Sequence, residues 1–211
     1  MTHPIAPVWR VAIGLGLLVG AAGGSLAAPA KPDALVPVLQ RGGLVLVMRH
    51  ASSPREMPAP EQARPDNTSL ERQLDEAGRQ GATAMGDALR ALRVPVGTVF
   101  TSPTYRAVET VRMARFEQPV LVEELGDGGH SMTGITPAMA AWLTKKAAEV
   151  PKSGNTLVVT HQPNLSRAFP DWGASVADGE TVVLRPNGAG GFAVVGRIAI
   201  AEWPMLRVQG R

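Results

Sequence analysis

Leu44-Val45-Leu46-Val47-Met48-Arg49-His50 is an apolar run that stops abruptly at an arginine and a histidine. Consecutive apolar residues with no polar face predict a strand buried on both sides, as in the interior of a layered α/β domain. Thr156-Leu157-Val158-Val159-Thr160 has the same character, and Val99-Phe100-Thr101-Ser102 and Val120-Leu121-Val122-Glu123 read as two further short strands. Between them the apolar residues fall near helical spacing. One helix is expected from a Ser69 cap through Leu92, stopped by Pro95 and Gly97, and a second over Tyr105 to Phe116. A third is expected over Pro137 to Val150, with proline in its first turn, and a fourth from about Asn164. Glu180 to Arg185 and Gly191 to Ile200 predict a hairpin turned at Pro186-Asn187-Gly188. The glycine cluster Gly188 to Gly191 precedes no helix, so it reads as that turn and not as a phosphate loop. Pro29 to Pro37 reads as punctuation before the first strand, and residues 52–68, with four prolines, as a loop or flap beyond its end. Strands alternating with helices predict an α/β fold: a three-layer α/β/α sandwich with a mostly parallel central sheet and an antiparallel edge hairpin.

The 211 residues suffice for one domain with a substantial core, and 45% hydrophobic with 18% charged residues is a globular composition. The net charge of +3, from 21 basic and 18 acidic residues, is not gathered into a basic run. With aromatics at 4%, neither an electrostatic footprint nor a stacking platform for nucleic acid is present. The absence of cysteine excludes disulfides, thiolate metal sites, a thiol nucleophile and a lipidated cysteine. At the N-terminus, Arg10 precedes the apolar stretch Val11 to Ala22, and small residues follow. This is the pattern of a secretory signal peptide over residues 1–30, cleaved after Ala27 or Ala30. The apolar stretch falls short of the roughly 20 residues that span a bilayer. The expectation is an exported, periplasmic or secreted domain over residues 31–211 with no stable membrane anchor after cleavage.

In open α/β sheets ligands bind beyond the carboxyl ends of the strands, so the residues there are the candidates for chemistry. They are Arg49-His50, Ser102-Pro103-Thr104-Tyr105-Arg106, Glu123-Glu124-Leu125-Gly126-Asp127 and His161-Gln162. Two arginines supply the planar donor forks that suit phosphoryl oxygens. A neutral imidazole is a nucleophile toward phosphorus, a second histidine can donate to the oxygens, and a carboxylic acid can protonate the leaving alcohol. The set is complete for phosphoryl transfer without a metal or cofactor.

Val47-Met48-Arg49-His50-Ala51-Ser52-Ser53 resembles the strand and R-H-G-x-[ST] motif of the histidine phosphatase superfamily, the phosphoglycerate mutase-like fold. Ser102 to Thr110 matches that family's S-x-x-x-R-A-x-E-T pattern, and Val158-Val159-Thr160-His161 matches its later strand and histidine. The resemblance spans about residues 42–200 and is to the phosphoglycerate mutase-like branch. It implies that His50 is the nucleophile that becomes phosphohistidine and that Arg49, Arg106 and His161 complete the phosphate pocket. It also implies a general acid at Glu123, in Leu121-Val122-Glu123, with Glu124 and Asp127 as alternatives. Glu109, inside the second motif, reads as support for the helix.

Two positions depart from the pattern: Ala51 replaces the usual glycine, and Gln162 follows the second histidine where the acid-phosphatase branch has aspartate. The expected activity is a metal-independent phosphomonoesterase acting on a small phosphorylated substrate, such as an envelope sugar phosphate. The rival readings are a catalytically silent phospho-ligand binding protein, a phosphomutase, and a zinc hydrolase built from His50, His130, His161 and Asp127. Arg55 and Arg64 in the proline-rich loop read as solvated charges that could reach an anionic substrate. Trp142, Trp172 and Trp203 read as packing residues.

Overall fold

The computed structural model describes residues 31–128 and 134–207; the signal sequence read over residues 1–30, and His130, lie outside the described residues. Five helices, α1 (Pro32–Arg41), α2 (Glu76–Ala91), α3 (Tyr105–Met113), α4 (Pro137–Ala147) and α5 (Gln162–Ala168), surround a six-stranded sheet. The strands are β1 (Val45–Arg49), β2 (Val96–Thr101), β3 (Val120–Leu121), β4 (Asn155–Thr160), β5 (Thr181–Pro186) and β6 (Phe192–Ile198), in the order β3-β2-β4-β1-β5-β6. β1 to β4 are mutually parallel; β5 pairs antiparallel with β1, and β6 antiparallel with β5. The expected three-layer α/β architecture with an antiparallel edge hairpin is thus the observed one.

Alternation along the strands divides the core between the two faces of the sheet. Leu46 and Met48 of β1, with Leu157 and Val159 of β4, pack with α1, α2 and α3 through Leu35, Leu39, Met85, Leu89 and Val111. Val45, Val47 and Val158 face the other way, onto Leu143 and Ala147 of α4 and Leu165 of α5. β1 and β4 are covered on both faces, which is why their sequences carry no polar alternation. None of the described helices is long and apolar enough to cross a membrane.

Three local expectations are corrected. The segment read as proline punctuation contains α1: Pro32 occupies the first turn, where no N–H is needed, and Leu35, Val36 and Leu39 bury one face. α2 starts at Glu76 and not at a Ser69 cap. Leu70 has a φ of 52°, outside the helical region, and the Leu74 N–H donates to the Glu109 carboxylate at 2.8 Å instead of entering a helix. Asp75 is the cap, one oxygen accepting from Gly78 N and the other from Ser52 Oγ, each at 2.7 Å. The third strand ends at Leu121, and Glu123–Leu125 turns as a short 3-10 helix that redirects the chain.

Candidate active site

Parallel pairing of β1, β2 and β4 brings their carboxyl ends to one edge, and the ladder continues past the strands. His50 N donates to Thr160 O at 2.9 Å and Ser102 N to Val159 O at 3.0 Å. Arg49 closes β1, His50 follows it, Arg106 lies in the first turn of α3, and His161 caps α5. Both histidines and Arg106 are 3% exposed or less, and the two imidazole centroids are 5.1 Å apart.

His50 Nδ1–H donates to the carbonyl of Ala51 at 2.8 Å, which fixes the tautomer and leaves Nε2 as the acceptor. Arg106 Nε donates to that Nε2 at 3.2 Å. Burial above all, then the nearby Arg106, Arg49 and Arg72 charges, outweigh the Ala51 hydrogen bond and lower the His50 pKa to about 3. The imidazole is therefore neutral throughout the physiological range, as a nitrogen nucleophile requires.

The other terminus of Arg106 joins the remaining groups. Its Nη2 donates to Asp127 Oδ2 at 2.5 Å and to His161 Nδ1 at 3.0 Å. A guanidinium only donates, so His161 Nδ1 accepts, and the proton on Nε2 faces Ser102 Oγ at 2.8 Å and Thr104 Oγ1 at 3.1 Å. Arg49, whose charge also acts on His50, stands 2.7 Å from Asp178 and donates to Val176 O at 3.2 Å.

The motif residues that touch no ligand position have structural work. Thr110 Oγ1 accepts from Ala51 N at 3.1 Å and donates to Arg106 O at 2.8 Å, tying the exit of β1 to α3. Buried Glu109 accepts from the Leu74 N–H at 2.8 Å, joining α3 to the segment before α2. Gly78 is required because a Cβ there would lie 2.2 Å from the Ser52 carbonyl oxygen. The proline-rich loop is pinned to α3: Asp66 accepts from the Tyr105 hydroxyl at 2.5 Å and from Arg112 at 2.7 Å, and Tyr105 N donates to Glu71 at 2.9 Å.

Of the three carboxylates weighed after β3, Glu123 is exposed and Glu124 half-buried, while Asp127 is buried against Arg106. Asn164 Nδ2 donating to Glu124 O at 2.7 Å and Thr160 Oγ1 donating to Leu125 O at 2.8 Å hold the turn that delivers it. Arg55 and Arg64 are exposed. The loop arginine that faces the site is Arg72, which sequence reasoning missed. It donates to Pro54 O at 2.6 Å and Ser53 O at 3.0 Å, and its charge interacts with those of Arg106, Asp127, Asp178 and Arg49. No motif marks Arg72 or Asp178; only their place after and before strands that pair with the pocket could have suggested them. Among the described residues no three acidic or histidine side chains are grouped to hold a metal ion. Arg106 stands between His50 and His161, where a cation of the zinc reading would meet a guanidinium.

Comparison with known proteins agrees with this geometry. The model of the Histidine phosphatase superfamily (branch 1) matches residues 45–127, from β1 to Asp127. No curated protein gives a match. The protein histidine phosphatase SixA complexed with tungstate aligns with a TM-score of 0.55 and 16% identity, over 75% of this chain and 98% of that one. SixA from Agrobacterium tumefaciens aligns at 0.51 with 18% identity over 74% and 98%, and Bacillus stearothermophilus YhfR at 0.51 with 19% over 72% and 95%. At such identities the likeness to the solved structures is one of fold. The family model over residues 45–127, the ordered motifs and the convergence of their residues at one sheet edge are what this chain shares with the histidine phosphatase superfamily, branch 1.

Proposed function

We propose that the protein is an exported, metal-independent phosphomonoesterase that works through a phosphohistidine on His50. The observation that carries this reading is the state of His50: buried, neutral, fixed in one tautomer by Ala51, with Arg106 on its Nε2 and the charges of Arg49 and Arg72 nearby. Arg49, Arg72 and Arg106 bind the phosphoryl oxygens, and His161 orients Arg106 through Nδ1. Nε2 attacks phosphorus in line with the leaving oxygen, and water then hydrolyses the phosphoenzyme. Asp127, the carboxylate nearest the pocket arginines, serves as acid and then as base. The substrate is a small phosphate ester; the signal-like residues 1–30 support export and, with it, an envelope sugar phosphate.

The test is a phosphoester screen in excess EDTA with wild type and His50→Ala. The reading requires turnover in the wild type that disappears in the variant, and equal rates would overturn it. Tungstate binding without turnover on any ester would favour the silent binding protein, a reading supported by Asp127 standing as a carboxylate partner of Arg106.

A further inference from the structure

Among the described residues, two of the three pocket arginines are already paired with carboxylates before any substrate arrives. Arg49 stands 2.7 Å from Asp178 and Arg106 is ion-paired with Asp127, while Arg72 is held by backbone carbonyls. Among the described residues, the groups facing Asp127 are Arg106 of α3, Arg72 from the segment before α2, and His161 and His50 at the ends of β4 and β1 through their bonds to the same guanidinium. A phosphoryl group in line with His50 Nε2 must place its oxygens on Arg106, whose Nε and Nη2 now hold His50 and Asp127. Two anions on one buried guanidinium repel strongly, because little water screens them. The carboxylate can relieve that repulsion by leaving the arginine and accepting a proton.

Resting on the phosphatase reading above, we propose that a phosphoryl dianion takes the place of Asp127 on Arg106, and that Asp127 takes up one proton from solvent as it is displaced. Substrate binding thereby loads the acid. The His50 Nε2 lone pair forms the bond to phosphorus as the bond to the leaving oxygen breaks, and that oxygen takes the Asp127 proton. In the second step Asp127 accepts a proton from the attacking water, the phosphorus–nitrogen bond breaks, and inorganic phosphate leaves. Asp127 then releases the proton to solvent and returns to Arg106. The cycle consumes one ester and one water and returns alcohol and phosphate, with no net proton held by the protein.

The experiment is calorimetric titration with tungstate, a dianion across neutral pH, in two buffers of unlike ionisation enthalpy. Any proton taken up then belongs to the protein. Wild type should take up close to one proton per tungstate near pH 7, Asp178→Asn should keep that uptake, and Asp127→Asn should lose it while binding tungstate more tightly. Should Asp127→Asn fail to fold, the wild-type Kd for tungstate must weaken as pH rises, by up to tenfold per pH unit. Uptake near zero in the wild type with a pH-independent Kd overturns the proposal, as does undiminished uptake in Asp127→Asn, which would assign the proton to a histidine. His50-dependent turnover with no proton uptake sinks this inference and leaves the phosphatase reading standing. Uptake without His50-dependent turnover does the reverse.

Discussion

Two arginine–aspartate pairs lie near His50, and they differ in burial. The Arg106–Asp127 side chains are 3% and 11% exposed, whereas those of Arg49–Asp178 are 25% and 37% exposed. Arg106 also contacts both histidines, while Arg49 bonds otherwise to one backbone carbonyl. The same pair of side chains thus makes an organising centre in one place and a solvent-screened clamp in the other. Water access decides how much each charge matters.

The largest effect that would sharpen this contrast is on catalysis. Arg106→Ala should lower kcat/KM by about a thousandfold, the upper range for one preorganised donor, and Arg49→Ala by about tenfold. Similar losses in steady-state kinetics would break the comparison. On stability, Asp127→Ala leaves a buried guanidinium without this carboxylate and should cost roughly 2–4 kcal/mol, whereas Asp178→Ala should cost under about 1 kcal/mol. Urea denaturation of the two variants checks it.

A pH effect of intermediate size follows from His50. Its folded-state pKa, about 3, lies below the unfolded value, so between these the unfolded chain binds the extra proton. Stability therefore falls as pH drops below about 6.5 and continues to fall toward 3, with about 2 kcal/mol lost between pH 7 and pH 5. His50→Asn should remove that component from the pH dependence of urea unfolding.

The smallest effect concerns the turn that carries Asp127. A Cβ at Gly134 would lie 1.5 Å from the Gly128 carbonyl oxygen, and Gly128 itself has a φ of 61°. Gly134→Ala must shift the base of this loop and should cost about tenfold in kcat with the cores on both sheet faces intact. Near-ultraviolet circular dichroism and kinetics on the same sample separate the two.

The parallel layers were legible because β1 and β4 are buried on both faces and write that burial as unbroken apolar runs. The gathering of His50, Arg49, Arg106 and His161 at one sheet edge was legible because each lies at, or in the segment following, the carboxyl end of a strand. The helix α1 was hidden by Pro32 and Pro37, which read as breakers although its apolar side chains face the sheet. The start of α2 was hidden because Ser69 and Asp75 are both acceptable caps, and the choice is made by a distant residue, Glu109. Arg72, Asp127 and Asp178 depend on how irregular segments fold back over the sheet edge, and no periodicity encodes that. Which of Glu123, Glu124 and Asp127 is buried against Arg106 turns on a single 3-10 turn clamped by Thr160 and Asn164.

In the proposed reaction His50 Nε2 carries the phosphoryl group. The direct measurement is rapid quenching of the protein during turnover of p-nitrophenyl phosphate, followed by mass spectrometry of its peptides. A single acid-labile phosphoryl group on the peptide containing His50, absent from His50→Asn, is the predicted result. Turnover that proceeds with His50 unmodified, and persists in the variant, would contradict it.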